Sequence, residues 1–293
     1  MVRQPVGVVG LGLMGEVLAR RLLDAGFEVV GFDIEPAKNA RLGTLGGRAA
    51  SIAELARACN PIMLAVFNTD QVEEVVEREL LPALGTGSGR IVMCTSTCDP
   101  DRIAALAERV APKGIRFLET PVSGTSEQVR RGEGVGLIGG DLQTAMEVAS
   151  VLDTLFPTRF HIGKAGDGGR AKLAVNLILG LNRLALAEGL VFATRLGLDP
   201  EAFLKVARVS AAGSQVMDTK GLKMIRRDFA AEGRARQHLK DVQLMFEQAR
   251  KVGQRLPALE VHADVLEACV RQGEGDSDNS VIVEEIRRRK AAT

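Results

Sequence analysis

Val6-Gly7-Val8-Val9-Gly10-Leu11-Gly12-Leu13-Met14-Gly15 decides how the first half of this chain is read. A short β-branched run stops at Gly10, and two more glycines follow at Gly12 and Gly15. A helix then begins and is closed by Gly26. The spacing is G-x-G-x-x-G in a strand–turn–helix setting, where each glycine has a mechanical job. Gly10 permits the sharp turn out of the strand, and Gly12 lets the backbone approach a pyrophosphate. Gly15 lets the helix pack closely on the strand. The helix N-terminus offers free N–H groups and a partial positive charge to phosphates. Leu11, Leu13 and Met14 complete this candidate cofactor loop. A second apolar run, Phe27 to Phe32, ends in Asp33, about 20 residues beyond the glycines, where an acidic side chain holds an adenine ribose. The bland alternative is an ordinary glycine-rich turn, with Asp33 capping a helix that begins near Pro36.

Outward from this stretch, strands and helices alternate as far as Gly163. Strands are expected at Pro5–Val9, Glu28–Phe32, Pro61–Val66, Arg90–Cys94, Ile115–Glu119, Gly134–Ile138 and Thr158–Ile162. Helices are expected between them, at Leu13–Ala25, Pro36–Leu42, Ile52–Ala58, Asp70–Glu79, Pro100–Val110, Ser126–Arg131 and Leu142–Leu155. Turns such as Gly85-Thr86-Gly87-Ser88-Gly89 punctuate the pattern. Alternation of this kind implies an α/β, Rossmann-type, mainly parallel sheet. After Gly163 no strand is expected. A long helix runs from Gly169 to about Leu196, followed by helices at Pro200–Val209, Ser214–Ile225, Leu239–Val252, Pro257–Gln272 and Ser280–Lys290. The expected domains are a dinucleotide-binding half, 1–163, and an all-helical half, 164–293, joined by the long helix.

At 293 residues the chain is long enough for two cores. The net charge is +1, with Arg287 to Lys290 the nearest thing to a basic block, which argues against nucleic acid as the main partner. No tyrosine or tryptophan is present, so no phenol can serve as acid or base. Arg3 before the first apolar stretch mimics a signal peptide, but the glycine spacing and Arg20-Arg21 explain that stretch better. No apolar run reads as long enough to span a bilayer. Cys59, Cys94, Cys98 and Cys269 are scattered, as in a reducing cytoplasm. Neither they nor His161, His238 and His262 have metal-ligand spacing, so no metal site is expected.

Lys172 and Asn176 lie at i and i+4 on the long helix, one turn apart on one face. Half-buried among Leu173, Leu177, Ile178 and Leu179, a lysine has a lowered pKa and can move protons near neutral pH. Spacing alone equally allows a surface lysine on an amphipathic helix.

Several spaced segments together resemble the β-hydroxyacid dehydrogenase family, nearly end to end. They are Gly10-Leu11-Gly12-Leu13-Met14-Gly15, Thr95-Ser96-Thr97-Cys98-Asp99-Pro100, Pro121-Val122-Ser123-Gly124, and Gly166-Asp167-Gly168-Gly169-Arg170-Ala171-Lys172 with Asn176. Lys240-Asp241 and a late turn from Gly273 to Ser280 complete the set. The resemblance implies a hydride-transferring oxidoreductase of a small 3-hydroxy acid, or of the matching semialdehyde or keto acid. Asp33 with Glu35, and the absence of an arginine between Asp33 and Lys38, favour NAD over NADP as its cofactor, against which Lys38 and Arg41 stand nearby. Lys172 would be the enzyme's general acid and base, with Asn176 orienting the reacting oxygen. Ser123, Gly124 and, beside them, Thr125 would meet the substrate. Thr97 would touch the cofactor, and Lys240 both cofactor and substrate. A homodimer or homotetramer follows from the same resemblance. Milder roles remain open: Ser123 as a turn former and Asp241 as a helix N-cap. An imine reductase-like enzyme and a non-catalytic dinucleotide-binding protein are the alternatives at the level of function.

The chain departs from the family pattern at four places. Val175 replaces one of two amides after the lysine, Thr125 stands for a glycine, Glu127-Gln128 for a Gly-Ala pair, and Cys94 for an aspartate. Arg234, Arg236 and His238 also fall in a segment that is largely apolar in relatives. If that segment is extended, all three point to one side and form a cationic wall suited to a polyanionic or polar substrate. If it is helical, only Arg234 and His238 align. A solvated surface is the plain alternative.

Overall fold

A computed structural model describes residues 4–85 and 87–290, so Arg3 and Thr86 lie outside the described residues. The chain divides into two compact units, residues 1–172 and 173–293. The division falls inside the long helix, Asp167–Arg195.

The first unit is built on a nine-stranded sheet. Its strands are β1 Val6–Val9, β2 Val29–Phe32, β3 Arg48–Ala49, β4 Ile62–Leu64, β5 Arg90–Cys94, β6 Ile115–Glu119, β7 Val122–Ser123, β8 Val135–Gly139 and β9 Thr158–Gly163. The order is β3-β2-β1-β4-β5-β6-β8-β7, with β9 beside β8. From β3 to β6 every pairing is parallel. That is the doubly wound order, and its direction of winding reverses between β1 and β4. Ligands of such sheets bind beyond the strand ends at that switch point.

Side-chain alternation explains why the sheet is covered on both faces. Val6, Val8, Met63 and Met93 pack on one face with Leu18 and Leu22 of helix Leu13–Asp24. Val9, Ile62, Leu64 and Val92 pack on the other with Leu55, Val76 and Leu106. Two short strands escape a reading of the sequence, β3 and β7, each two residues long. β8 runs antiparallel to β6 and β7. The expected helix Leu142–Leu155 is broken at Val148, which is buried in the core between Leu142–Glu147 and Ala149–Leu155.

Among the described residues the second unit is helical, with an isolated β-bridge between Arg234 and Asp278, around a core that includes Leu186, Leu190, Leu204, Met224, Val242, Leu266 and Ile282. Contrary to the sequence expectation, the long helix is by length and composition apolar enough to cross a membrane. Its apolar side chains have a place inside the unit: Leu173, Leu184, Leu186, Leu190 and Val191 are buried in that core.

Candidate active site

The dinucleotide loop has the geometry its glycines require. Gly10 sits at φ +90°, and a β-carbon there would meet the Ala65 carbonyl oxygen at 2.6 Å. A β-carbon on Gly15 would stand 1.9 Å from the Gly10 carbonyl oxygen. On Gly12 it would meet nothing within 4 Å. Helix Leu13–Asp24 has Gly12 as its N-cap and no side chain capping it. Its first N–H groups therefore face the open side of Gly12, which fits a pyrophosphate. Asp33 closes the other end: its Oδ2 accepts the Leu11 N–H at 2.7 Å and its Oδ1 the Glu35 N–H at 2.9 Å. The residues present fit a dinucleotide.

The loop after β5 is pinned by its hydroxyls. Thr95 Oγ1 donates to the Leu64 carbonyl at 2.9 Å and Ser96 Oγ to the Val66 carbonyl at 2.7 Å. Thr97 follows, half-buried. β7 brings Ser123 to its end, and Gly124 turns at φ +145°. Thr125 then begins helix Ser126–Arg130 with a reciprocal capping box. Its hydroxyl oxygen accepts the Gln128 N–H at 3.2 Å, and Gln128 Oε1 accepts the Thr125 N–H at 2.9 Å. Two of the departures from the family pattern, Thr125 and Gln128, are thus partners of each other.

Glu119, at the end of β6, has no signal in the sequence that singles it out. Its Oε2 accepts the Gly166 N–H at 2.5 Å, and the Gly169 N–H also donates to its carboxyl group. It holds the start of the long helix. Burial outweighs these donors and lifts its pKa from 4.5 to about 7. The folded state therefore binds this proton more tightly than the unfolded chain. Between about pH 4.5 and about 7, stability should fall as pH rises, and then level off. Melting of wild type and Glu119→Gln across that range checks this. The stability difference between them should change with pH, and a constant difference would show that this carboxyl group does not titrate as described.

Lys172 is 6% exposed and Asn176 4% exposed, both on the long helix and four residues apart. The Asn176 amide N–H donates to Asp241 Oδ2 at 3.0 Å, and its buried Oδ1 has no partner among the described residues. Lys240 Nζ lies 3.0 Å from Asp241 Oδ1. Asp241 is buried in the middle of helix Ala235–Lys251, so it is not an N-cap. The helix unit thus brings Asn176, Lys240 and Asp241 together, while Ser123, Gly124, Thr125 and Thr97 belong to the sheet unit.

The cationic wall is corrected. The segment is helical from Ala235, so Arg234, Arg236 and His238 do not share a side. Arg236 pairs with Asp276 at 2.7 Å, Arg234 lies 4.0 Å from the same carboxylate, and His238 is buried against His262. The helix begins before the expected Leu239 because its orphan N–H groups find distant partners. Ala235 and Arg236 donate to the Ser277 and Gly275 carbonyls, in the late glycine turn. Asp278 of that turn is fully buried and takes Lys220 Nζ at 2.9 Å with the N–H groups of Glu232, Gly233 and Ser280. Among the described residues no group of three or more His, Cys, Asp or Glu is placed to hold a metal ion.

Residues 5–163 match the family described as the NAD binding domain of 6-phosphogluconate dehydrogenase. Residues 166–286 match the one described as the NAD-binding region of NADP-dependent 3-hydroxyisobutyrate dehydrogenase. The chain belongs to the β-hydroxyacid dehydrogenase family. L-threonate dehydrogenase of Cupriavidus necator is 29% identical over 95% of this chain and 94% of its own. 2-Hydroxy-3-oxopropionate reductase of Escherichia coli is 27% identical over 96% of each. The crystal structure of 3-hydroxyisobutyrate dehydrogenase from Salmonella typhimurium superposes with a TM-score of 0.87, at 26% identity, over 96% of this chain and 99% of that one. This β-hydroxyacid dehydrogenase is an NAD(P)-binding oxidoreductase of the 3-hydroxyacid class.

Proposed function

We propose that the enzyme prefers NAD and uses Lys172 as its acid and base on a small 3-hydroxy acid. The observation that carries this is the buried Lys172 with Asn176 one turn on, its amide fixed by Asp241 and its Oδ1 open. When bound, the dinucleotide would supply or accept the hydride at the hydroxyl carbon. Lys172 Nζ gives a proton to the carbonyl oxygen in reduction and takes it back in oxidation. Asn176 orients that oxygen. Ser123 Oγ and the Gly124 N–H would hold the substrate carboxylate, Lys240 would serve cofactor and substrate, and Thr97 would help to hold the cofactor. A panel of 3-hydroxy acids and cyclic imines tests the activity; turnover of imines alone would overturn it.

The preference for NAD rests on Asp33 and Glu35. A ribose diol can donate to the Asp33 carboxylate, whereas a 2′-phosphate meets two negative groups there. The cation beside them, Lys38, is paired with Glu35 at 2.7 Å and lies 3.6 Å from Asp33, while Arg41 is paired with Glu16 at 2.7 Å. We expect kcat/KM for NAD to exceed that for NADP at least about tenfold, a difference of about 1.4 kcal/mol. Equal values for the two cofactors would refute the preference.

We also propose a cytoplasmic homodimer or homotetramer without nucleic acid or membrane as partner. Ile178 and Phe192 on the long helix and Val206 and Val209 on helix Pro200–Val209 are apolar and exposed, as an interface between copies requires. Light scattering at micromolar concentration should give a multiple of 31.3 kDa. A monomer mass would remove this part of the proposal.

A further inference from the structure

Arg183 is 3% exposed, and its Nε and Nη1 have no hydrogen-bond partner among the described residues. A buried guanidinium with unbonded nitrogens is a costly arrangement for a fold to keep. The carboxylate whose charge reaches it is Asp278, but that group is already engaged by Lys220 and by three backbone N–H groups.

Its neighbours make this more than an isolated oddity. Asn176, Gly180 and Arg183 stand at i, i+4 and i+7, along one face of the long helix. A β-carbon on Gly180 would meet His238 Nε2 at 2.6 Å and His262 Nε2 at 3.0 Å, so the two imidazoles cover the turn between Asn176 and Arg183. Their Nε2 atoms are 3.0 Å apart, which requires one ring to donate and the other to accept. Burial, and then the charge of Arg183, push the His262 pKa down to about 3, so that ring is neutral at working pH. His262 Nδ1 is buried and open, like Asn176 Oδ1. Asn176 and Arg183 are about 10 Å apart along the helix axis. Long helical side chains lean toward the helix N-terminus, which carries the guanidinium back toward Asn176. One face of the helix thus offers an acceptor for a hydroxyl at one end and a charged donor at the other.

We propose that Arg183, with His262 beside it, forms an anion subsite in the helical unit that takes the second carboxylate of a dicarboxylic 3-hydroxy acid. The proposal rests on the dehydrogenase reading above and adds the substrate class to it. Guanidinium N–H groups match a carboxylate in geometry and charge, and a neutral imidazole beside them adds a hydrogen bond without competing for the anion.

The test uses the full-length protein, as wild type, Arg183→Met and Arg183→Lys. The first arm compares kcat/KM for 3-hydroxyglutarate and 3-hydroxybutyrate. Wild type should favour the diacid, and the ratio should fall at least about tenfold in Arg183→Met, chiefly through KM, with partial recovery in Arg183→Lys. A ratio in Arg183→Met within about twofold of wild type overturns the subsite. The second arm needs no turnover: glutarate should raise the melting temperature of wild type more than butyrate or sulfate does. Equal shifts from all three mean a general ion site and overturn the proposal, and this arm decides if Arg183→Met does not fold. If glutarate protects through Arg183 while no 3-hydroxy acid is turned over, the subsite stands and the activity falls. If 3-hydroxy acids are turned over with no preference for the diacid, the activity stands and the subsite falls.

Discussion

Replacing Lys172 by alanine is expected to lower kcat at least about a hundredfold, the low end for general acid–base catalysis, while NAD affinity stays nearly unchanged. The two effects separate because the groups fitted to the dinucleotide, Gly10 to Gly15 and Asp33, do not include the lysine. Lys172 is buried, so the alanine variant also loses packing. Lys172→Met keeps most of the volume and should be as slow as the alanine variant. Rates measured with saturating NAD, beside NADH fluorescence titrations, check both halves. A methionine variant within a few-fold of wild type would take Lys172 out of this role.

The second large effect comes from two neighbouring glycines that should fail in different ways. In Gly15→Ala the new methyl stands 1.9 Å from the Gly10 carbonyl oxygen and 3.3 Å from Ala65 Cβ. Backbone must move to admit it, at the end of β1 where the dinucleotide loop begins. We expect a loss of about 2–4 kcal/mol in stability, with cofactor binding lost alongside. In Gly12→Ala the methyl meets no atom within 4 Å. That variant should melt within a few degrees of wild type, yet bind NAD at least about tenfold more weakly, because the methyl occupies the approach of the pyrophosphate. Denaturant melts and NAD titrations of both variants decide the matter. Unchanged NAD affinity in Gly12→Ala would contradict the placement of the phosphates.

Much of the fold is legible in the residues. β5, β6 and helices Ile52–Ala58, Pro100–Val110 and Pro200–Val209 have the bounds read from sequence, because turn residues and caps mark both ends. Asp33 stands out by its distance from the glycines, and it is tied back to that loop through Leu11. What stays hidden depends on partners far along the chain. The start of helix Ala235–Lys251 is capped by carbonyls some forty residues later, a signal no local window contains. Its helical geometry also turns Arg236 away from Arg234 and His238, and with both arginines at Asp276 and His238 buried against His262 the cationic wall dissolves. Glu119 looks like the polar end of a strand until Gly166 and Gly169 are seen to donate to it. Arg183 reads as an ordinary charge on a long helix, and only the packing of the helical unit, with two histidines from other helices over the preceding turn, shows it to be buried. Mean hydropathy has one misleading consequence as well. The long helix carries enough apolar residues for a bilayer, but they are shared between a core and an exposed face.

We propose that this enzyme transfers hydride between NAD and a 3-hydroxy acid. The most direct test is NADH formation by the purified wild-type protein given NAD and a panel of mono- and dicarboxylic 3-hydroxy acids. The expected result is NADH with at least one of them, at a rate that collapses in Lys172→Met. NAD binding without NADH from any member of the panel would contradict it.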